Sequence, residues 1–560
     1  MKRILLFSPF FLLILLFAHS CKSKLASTET TTEIPDESEV IVEEQVADSI
    51  NFIQIYIDSI QIGRENRILG ESIHAEIALP EFYAKQNYQL VFKDEYIKSE
   101  AIIALITSWK EGLNPKDYHL ESILKLHSYL EDHPEDQKKK AVFDILLSDG
   151  LIVYAYQLYK GKLDPESLYP TWNFFSRTLP ENSIDQLIIA INENKIESFL
   201  VKLPPQTRDY QGMRSGILKY NNIISMGSWE SLPEISNSIK PYENSYLMPL
   251  LRDRLSLEGF DIASDSSFYY DENLLTQVKL FQATSGLEPD GVIGKNTIKA
   301  LNESADSKLN KLRVNMERSR WVEGDEMEEF FIVNIAKYQL YYSDSGKVTY
   351  SSKVMVGTDE KQTPVFRDKM EYIVFNPTWT LPQSIASKET LPKLKQDSLY
   401  LKKNNMHIIN SKGEILSDSG IVWSNYTSDY FPFIIRQEPG PGNALGRVKF
   451  LFPNNYAIYL HDTPSKSLFA KEERAFSHGC IRVQNPLDLA EFILQKQDAN
   501  WTMDSIKTII ADKETHTVRL KKSIPIYIMY WTAGVDEYDR LFFVPDVYGR
   551  DERILKALGN

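Results

Sequence analysis

Three rhythms of apolar spacing succeed one another along the chain. The first twenty residues place Lys2 and Arg3 before a mostly apolar run, residues 4–18, and close on small or polar residues up to Ser20. Basic, apolar and small segments in that order predict an export signal over 1–20 rather than a helix of the folded protein. From about residue 70 to 239 the apolar positions recur at helical spacing. Residues 141–161, with Ile145, Leu146, Val153 and Leu158, are apolar nearly all round and predict a helix at the centre of a bundle, stopped by Lys160 and Gly161. A smaller unit, 240–302, carries three stripes: Leu247, Leu251 and Leu255; Leu274, Val278 and Phe281; Ile298 and Leu301. Pro289, Asp290 and Gly291 supply turn chemistry between the last two.

Beyond residue 325 the period shortens to two. Phe331, Val333 and Ile335, then Tyr338, Leu340 and Tyr342, and later Ile524, Ile526 and Ile528 alternate as strands do, predicting a β-rich domain over 325–500 with a β extension over 501–560. Residues 384–445 interrupt it with a helical stretch, polar loops and the cluster Pro439, Gly440, Pro441, Gly442, an insertion able to cap a site. Pro453, Asn454 and Asn455 signal a hairpin between 448–452 and 456–462. Its second strand would put Tyr456, Ile458 and Leu460 on one face and Tyr459 and His461 on the other. Asn485, Pro486 and Asp488 have helix-start chemistry ahead of Leu489, Phe492 and Ile493, so Cys480 falls on a short segment just before a helix. The fold class is α+β multidomain.

Composition narrows the partners. The chain has 560 residues, 63 basic and 77 acidic, a formal charge of −14 and two cysteines. That acidity argues against a nucleic-acid partner, and two cysteines build neither a disulfide framework nor a four-thiolate metal site. The histidines lack metal-ligand spacing, so neither metal nor cofactor is expected. Loss of residues 1–20 removes Lys2 and Arg3 and takes the charge to −16, with −6 of it in residues 22–50. Residues 21–69 therefore read as a cysteine followed by an acidic, self-repelling linker.

The candidate chemistry lies late in the chain. A thiol needs a base to become a nucleophile, and imidazole is the usual one. His461 and the run Ser477, His478, Gly479, Cys480 offer such a pair, with Gly479 permitting close backbone approach so that neighbouring amides can face an oxyanion. His478 sits too near the thiol in sequence to be the expected base.

These residues resemble the signature of the L,D-transpeptidase catalytic domain, also called the YkuD domain. Asn376, Pro377, Thr378, Trp379 and Pro382, the run from Gly440 to Gly446, and His461 to Ser465 are similar to the large YcbB type. The stretch Val278 to Gln282 with Pro289 to Gly294 and Thr297 resembles a three-helix peptidoglycan-binding module, and Ser20 followed by Cys21 resembles a lipoprotein cleavage site. The resemblance implies a helical scaffold at 70–239, a peptidoglycan-binding module at 240–302, and a catalytic domain that cross-links peptidoglycan stem peptides. Cys480 would attack the third stem residue and release the terminal D-alanine, with His461 as base and a backbone carbonyl near Asp462 orienting it. Ser477, His478, Gly479, Arg482, Tyr459 and Trp379 would line the substrate or oxyanion region, with Arg482 standing where some shorter members have Asn. Cys21 would carry a lipid anchor in the cell envelope, and a carbapenem would add to Cys480. A hydrolase using the same thioester and a non-catalytic wall-binding scaffold are the alternatives.

Overall fold

Ile53, Ile57 and Ile60 recur at helical spacing, and Phe52–Gln61 is a helix that buries all three in the scaffold core. The scaffold thus takes in residues assigned above to the linker, because that apolar stripe gains more by packing than the flanking acids gain by hydration. The structure, a computed structural model, describes residues 51–61, 67–68, 70–174, 176–322 and 328–559. The segment 1–20 expected to be an export signal, Cys21 and the acidic run after it lie outside the described residues. The scaffold is centred on α1 (Gln137–Lys160), which ends at Gly161 with φ +89°. Two buried acids inside α1 are satisfied by distant segments: Asp144 accepts from the Phe92 amide (2.8 Å) and the Tyr83 hydroxyl (2.7 Å). Asp149 accepts from the Ala75 amide (2.8 Å) and meets His119 at 2.7 Å. Such bonds fix which loops lie against the helix.

The last scaffold helix, α2 (Arg208–Ser225), leads to the smaller unit of α3 (Met248–Leu257), α4 (Glu272–Thr284) and α5 (Lys295–Leu301), whose core holds the three stripes read from the sequence. The α4 residue Gln282 accepts from the Gly291 amide (2.8 Å) and donates to the Val292 carbonyl (3.0 Å), so the helix itself clamps the turn that follows it. Helix α6 (Ala305–Arg320) then packs on α2 through Leu312 and Met316 against Tyr210, Met213 and Ile217.

The β-rich part is built from β1 (Glu329–Asn334), β2 (Gln339–Asp344), β3 (Lys347–Gly357), β4 (Phe366–Phe375), β5 (Val448–Leu451), β6 (Leu460–His461), β7 (Ala475–Ser477), β8 (Ile481–Val483) and β9 (His516–Met529). Their order is β7-β3-β8-β6-β5-β4-β9-β1-β2, and β2 also pairs with β3, so the sheet closes on itself. Residues 501–560 hold the helices Met503–Ala511 and Asp551–Leu558 as well as strands, and β9 lies inside the sheet between β4 and β1.

Between β4 and β5 the insertion forms a second sheet, Trp379–Thr380, Ile434–Gln437, Met406–Ile409 and Ile415–Leu416 in that order. It has its own core, including Leu391, Leu394, Ile408, Trp423 and Ile435. Its two stems are tied together: the Asn443 side chain donates to the Pro377 carbonyl (3.1 Å) and the Glu438 carbonyl (3.0 Å).

Candidate active site

Strands β6 and β8 run parallel, pairing Leu460 with Ile481 and His461 with Arg482. Leu460 and Ile481 are buried in the core. Alternation therefore sends His461 and Arg482, and with them Tyr459 and Cys480, to the opposite face. The Tyr459 and His461 rings lie 5.6 Å apart, and Tyr459 neighbours Cys480 and Trp379. Two local expectations change. The second hairpin strand shrinks to β6, because the Asn454 side chain bonds the Phe452 and Ile458 carbonyls (2.7 Å each) and the Tyr456 and Ile458 amides, and Ala457 takes φ +54°. Cys480 is followed by β8 before helix α7 (Pro486–Gln497), where Pro486 fills the first turn and the Asn485 side chain makes no cap bond.

His461 is buried, and its Nδ1 lies 2.5 Å from the Asp462 carbonyl. A carbonyl only accepts, so Nδ1 carries the proton and the neutral ring keeps its Nε2 lone pair. Burial, with the nearby charges of Arg482, Lys449 and Lys466, pushes the imidazole down to about 3. The Asp462 carboxylate accepts from the Arg447 amide (2.8 Å), the Thr463 amide (2.7 Å) and Lys466 (2.6 Å). Gly446 sits against that carboxylate at φ +64°, and a Cβ there would come within 2.3 Å of it. Gly446→Ala is expected to cost about 1–3 kcal/mol in denaturant unfolding by displacing the Asp462 carboxylate; an unchanged midpoint would remove Gly446 from this role.

Cys480 is half-buried and its Sγ lies 3.5 Å from the Ala457 carbonyl. Burial pushes the thiol up, against opposing bonds from Tyr459 and the charge of Arg482. The turn before it is held from inside: the Ser477 hydroxyl donates to the Cys480 carbonyl (2.5 Å) and accepts from the Gly479 amide (3.0 Å). Gly479 itself takes φ +113°, and its carbonyl accepts from Thr363 (2.8 Å). Among the described residues the His478 and Cys480 amides have no hydrogen-bond acceptor. His478 Nε2 lies 2.5 Å from Glu389 of the insertion, which also pairs with Lys361 at 3.0 Å. Although burial raises it, these two partners hold the Glu389 carboxyl below its usual range.

Arg482 has no acidic partner among the described residues, and its Nε is buried without an acceptor. A hollow of about 620 Å³ is lined by Arg447, Asp462, Lys466, Gln484 and Asp488 among others, and does not include Cys480. Thr363, Glu389 and Lys449 were not legible as site residues, since each reaches the site from a separate loop, helical turn or strand.

Comparison with known proteins finds matches for three stretches of the chain. Residues 328–521 match the YkuD family, described as the L,D-transpeptidase catalytic domain. Residues 77–216 match a family described as a scaffold domain, and 247–301 one described as "Putative peptidoglycan binding domain". A curated Haemophilus influenzae protein described as "Putative L,D-transpeptidase" is 35% identical over 244 residues, 44% of this chain and 48% of that protein. The match thus spans about half the length of that relative. Among solved structures, an L,D-transpeptidase (residues 123-326) from Xylanimonas cellulosilytica is similar at 15% identity and TM-score 0.19, over 53% of this chain and 100% of that one. An L,D-transpeptidase from Stackebrandtia nassauensis is similar at 12% identity and TM-score 0.21, over 54% and 97%.

Proposed function

We propose, from the premise that residues 328–521 are a YkuD-type L,D-transpeptidase catalytic domain and residues 247–301 a peptidoglycan-binding domain, that this chain cross-links peptidoglycan stem peptides through a thioester on Cys480. The observation that carries the reading is the single sheet face shared by Cys480 and a neutral His461 whose Nδ1 is occupied by the Asp462 carbonyl.

In the first half-reaction the Cys480 sulfur attacks the carbonyl of the third stem residue while His461 Nε2 takes the thiol proton. The Cys480 and His478 amides face the developing oxyanion. The carbon–nitrogen bond then breaks, and His461 returns the proton to the departing D-alanine amine. In the second half an amine of a neighbouring stem attacks the thioester, His461 takes its proton, and the carbon–sulfur bond breaks to regenerate the thiol. Arg482 pairs with a stem carboxylate, which explains why an acidic protein keeps an unpaired guanidinium here. Tyr459 and Trp379 pack against the bound peptide. Export by residues 1–20 and a lipid on Cys21 would hold the enzyme in the cell envelope.

Purified protein given disaccharide tetrapeptides is expected to yield cross-linked dimers, read by mass spectrometry. Trimmed monomers alone would replace transfer by hydrolysis.

A further inference from the structure

One cross-strand row sets a second cation beside the imidazole. Arg482 on β8 pairs with His461 on β6, and His461 pairs with Lys449 on β5. Val448 and Phe450, the neighbours of Lys449, are buried in the core, so Lys449 lies on the same face as His461. The imidazole is thus flanked by a cation on each side. Lys449 is half-buried, its ammonium lies 5.9 Å from the centre of the Tyr459 ring, and it has no acidic partner among the described residues. Burial pushes its ammonium below the usual lysine range, as expected of a charge that has lost water and gained no counter-ion.

We propose that Lys449 binds the terminal carboxylate of the departing D-alanine and so selects donors that end in a free carboxylate. The proposal rests on the transpeptidase reading. His461 must protonate the leaving amine, so the leaving residue lies on the His461 side of the thiol. Its carboxylate is one residue further on, about 3.6 Å of chain at most. Adjacent strands are about 4.8 Å apart, which puts Lys449 one strand beyond His461, on the side away from Cys480. Arg482, on the strand of Cys480, is left for a carboxylate of the retained acyl portion. The two cations therefore read opposite sides of the scissile bond.

The test compares donors ending in D-alanine and in D-alaninamide, on wild type, Lys449→Met and Lys449→Arg. A charge-assisted bond of the usual strength predicts a loss of about 10- to 100-fold in kcat/KM for Lys449→Met with the carboxylate donor. The amide donor, which offers Lys449 no carboxylate, should lose no rate in Lys449→Met, and Lys449→Arg should recover most of the carboxylate preference. Equal losses on both donors would overturn the proposal in favour of a purely structural lysine. A binding arm separates the two readings: calorimetric titration of each tetrapeptide into Cys480→Ala, with and without Lys449→Met. Carboxylate preference that disappears with Lys449 supports the contact even if wild type proves unable to react, which would sink the transferase reading alone. Equal affinity for both peptides in Cys480→Ala would overturn the contact.

Discussion

Replacing Cys480 by alanine is expected to remove dimers and trimmed monomers together, because in the proposed reaction both products would pass through the same thioester. The loss should be about 10⁴-fold or more, as for other enzymes stripped of their nucleophile. The fold should barely notice. Cys480 is half-buried, and its thiol contact with the Ala457 carbonyl, at 3.5 Å, is weak. Thermal unfolding of the variant should therefore match wild type to within about 1 kcal/mol. Intact-mass spectrometry after incubation with a carbapenem gives a second readout: wild type gains one adduct and Cys480→Ala gains none. Products or an adduct in the folded variant would end the nucleophile assignment.

What the sequence revealed and what it hid divide along a physical line. Local periodicity was enough for α1, whose apolar positions leave no polar face, and for the module at 247–301, whose turn residues sit next to the helix that binds them. It also put Tyr459 and His461 on one face, since two residues apart in a strand means the same side. It failed where a side chain replaces the backbone ladder, as Asn454 does before β6. It was silent wherever the closed sheet brings remote segments together: Thr363 under Gly479, Glu389 against His478 and Lys449 beside His461. Each of these contacts is set by how remote segments fold together, which no single stretch of sequence encodes. The motif named the candidate groups; topology supplied their support.

The second large effect concerns the resting state of the pair. Burial and the cations Arg482, Lys449 and Lys466 hold His461 down to about 3, while burial lifts the Cys480 thiol. The Asp462 carboxylate opposes little of this, being committed to two amides and Lys466. The free enzyme should therefore rest as neutral thiol and neutral imidazole, not as an ion pair. Iodoacetamide should alkylate Cys480 slowly at pH 7 and faster only as the pH passes the ordinary thiol range of about 8.5. Thiolate absorbance should follow the same rise. A donor carboxylate that neutralises these cations would let His461 accept the proton, so His461→Ala should cut donor acylation by about 10²–10⁴-fold while changing alkylation at pH 7 far less. Stability carries the matching sign. Between about 3 and the unfolded histidine value of about 6.5, the unfolded chain binds the proton that folded His461 refuses, so this group's contribution is present above 6.5 and is lost as the pH falls toward 3. The urea midpoint of wild type should drop from pH 7 to pH 4 by more than that of His461→Ala. Thiolate absorbance already present at pH 6 would show a preformed ion pair and overturn the neutral resting state.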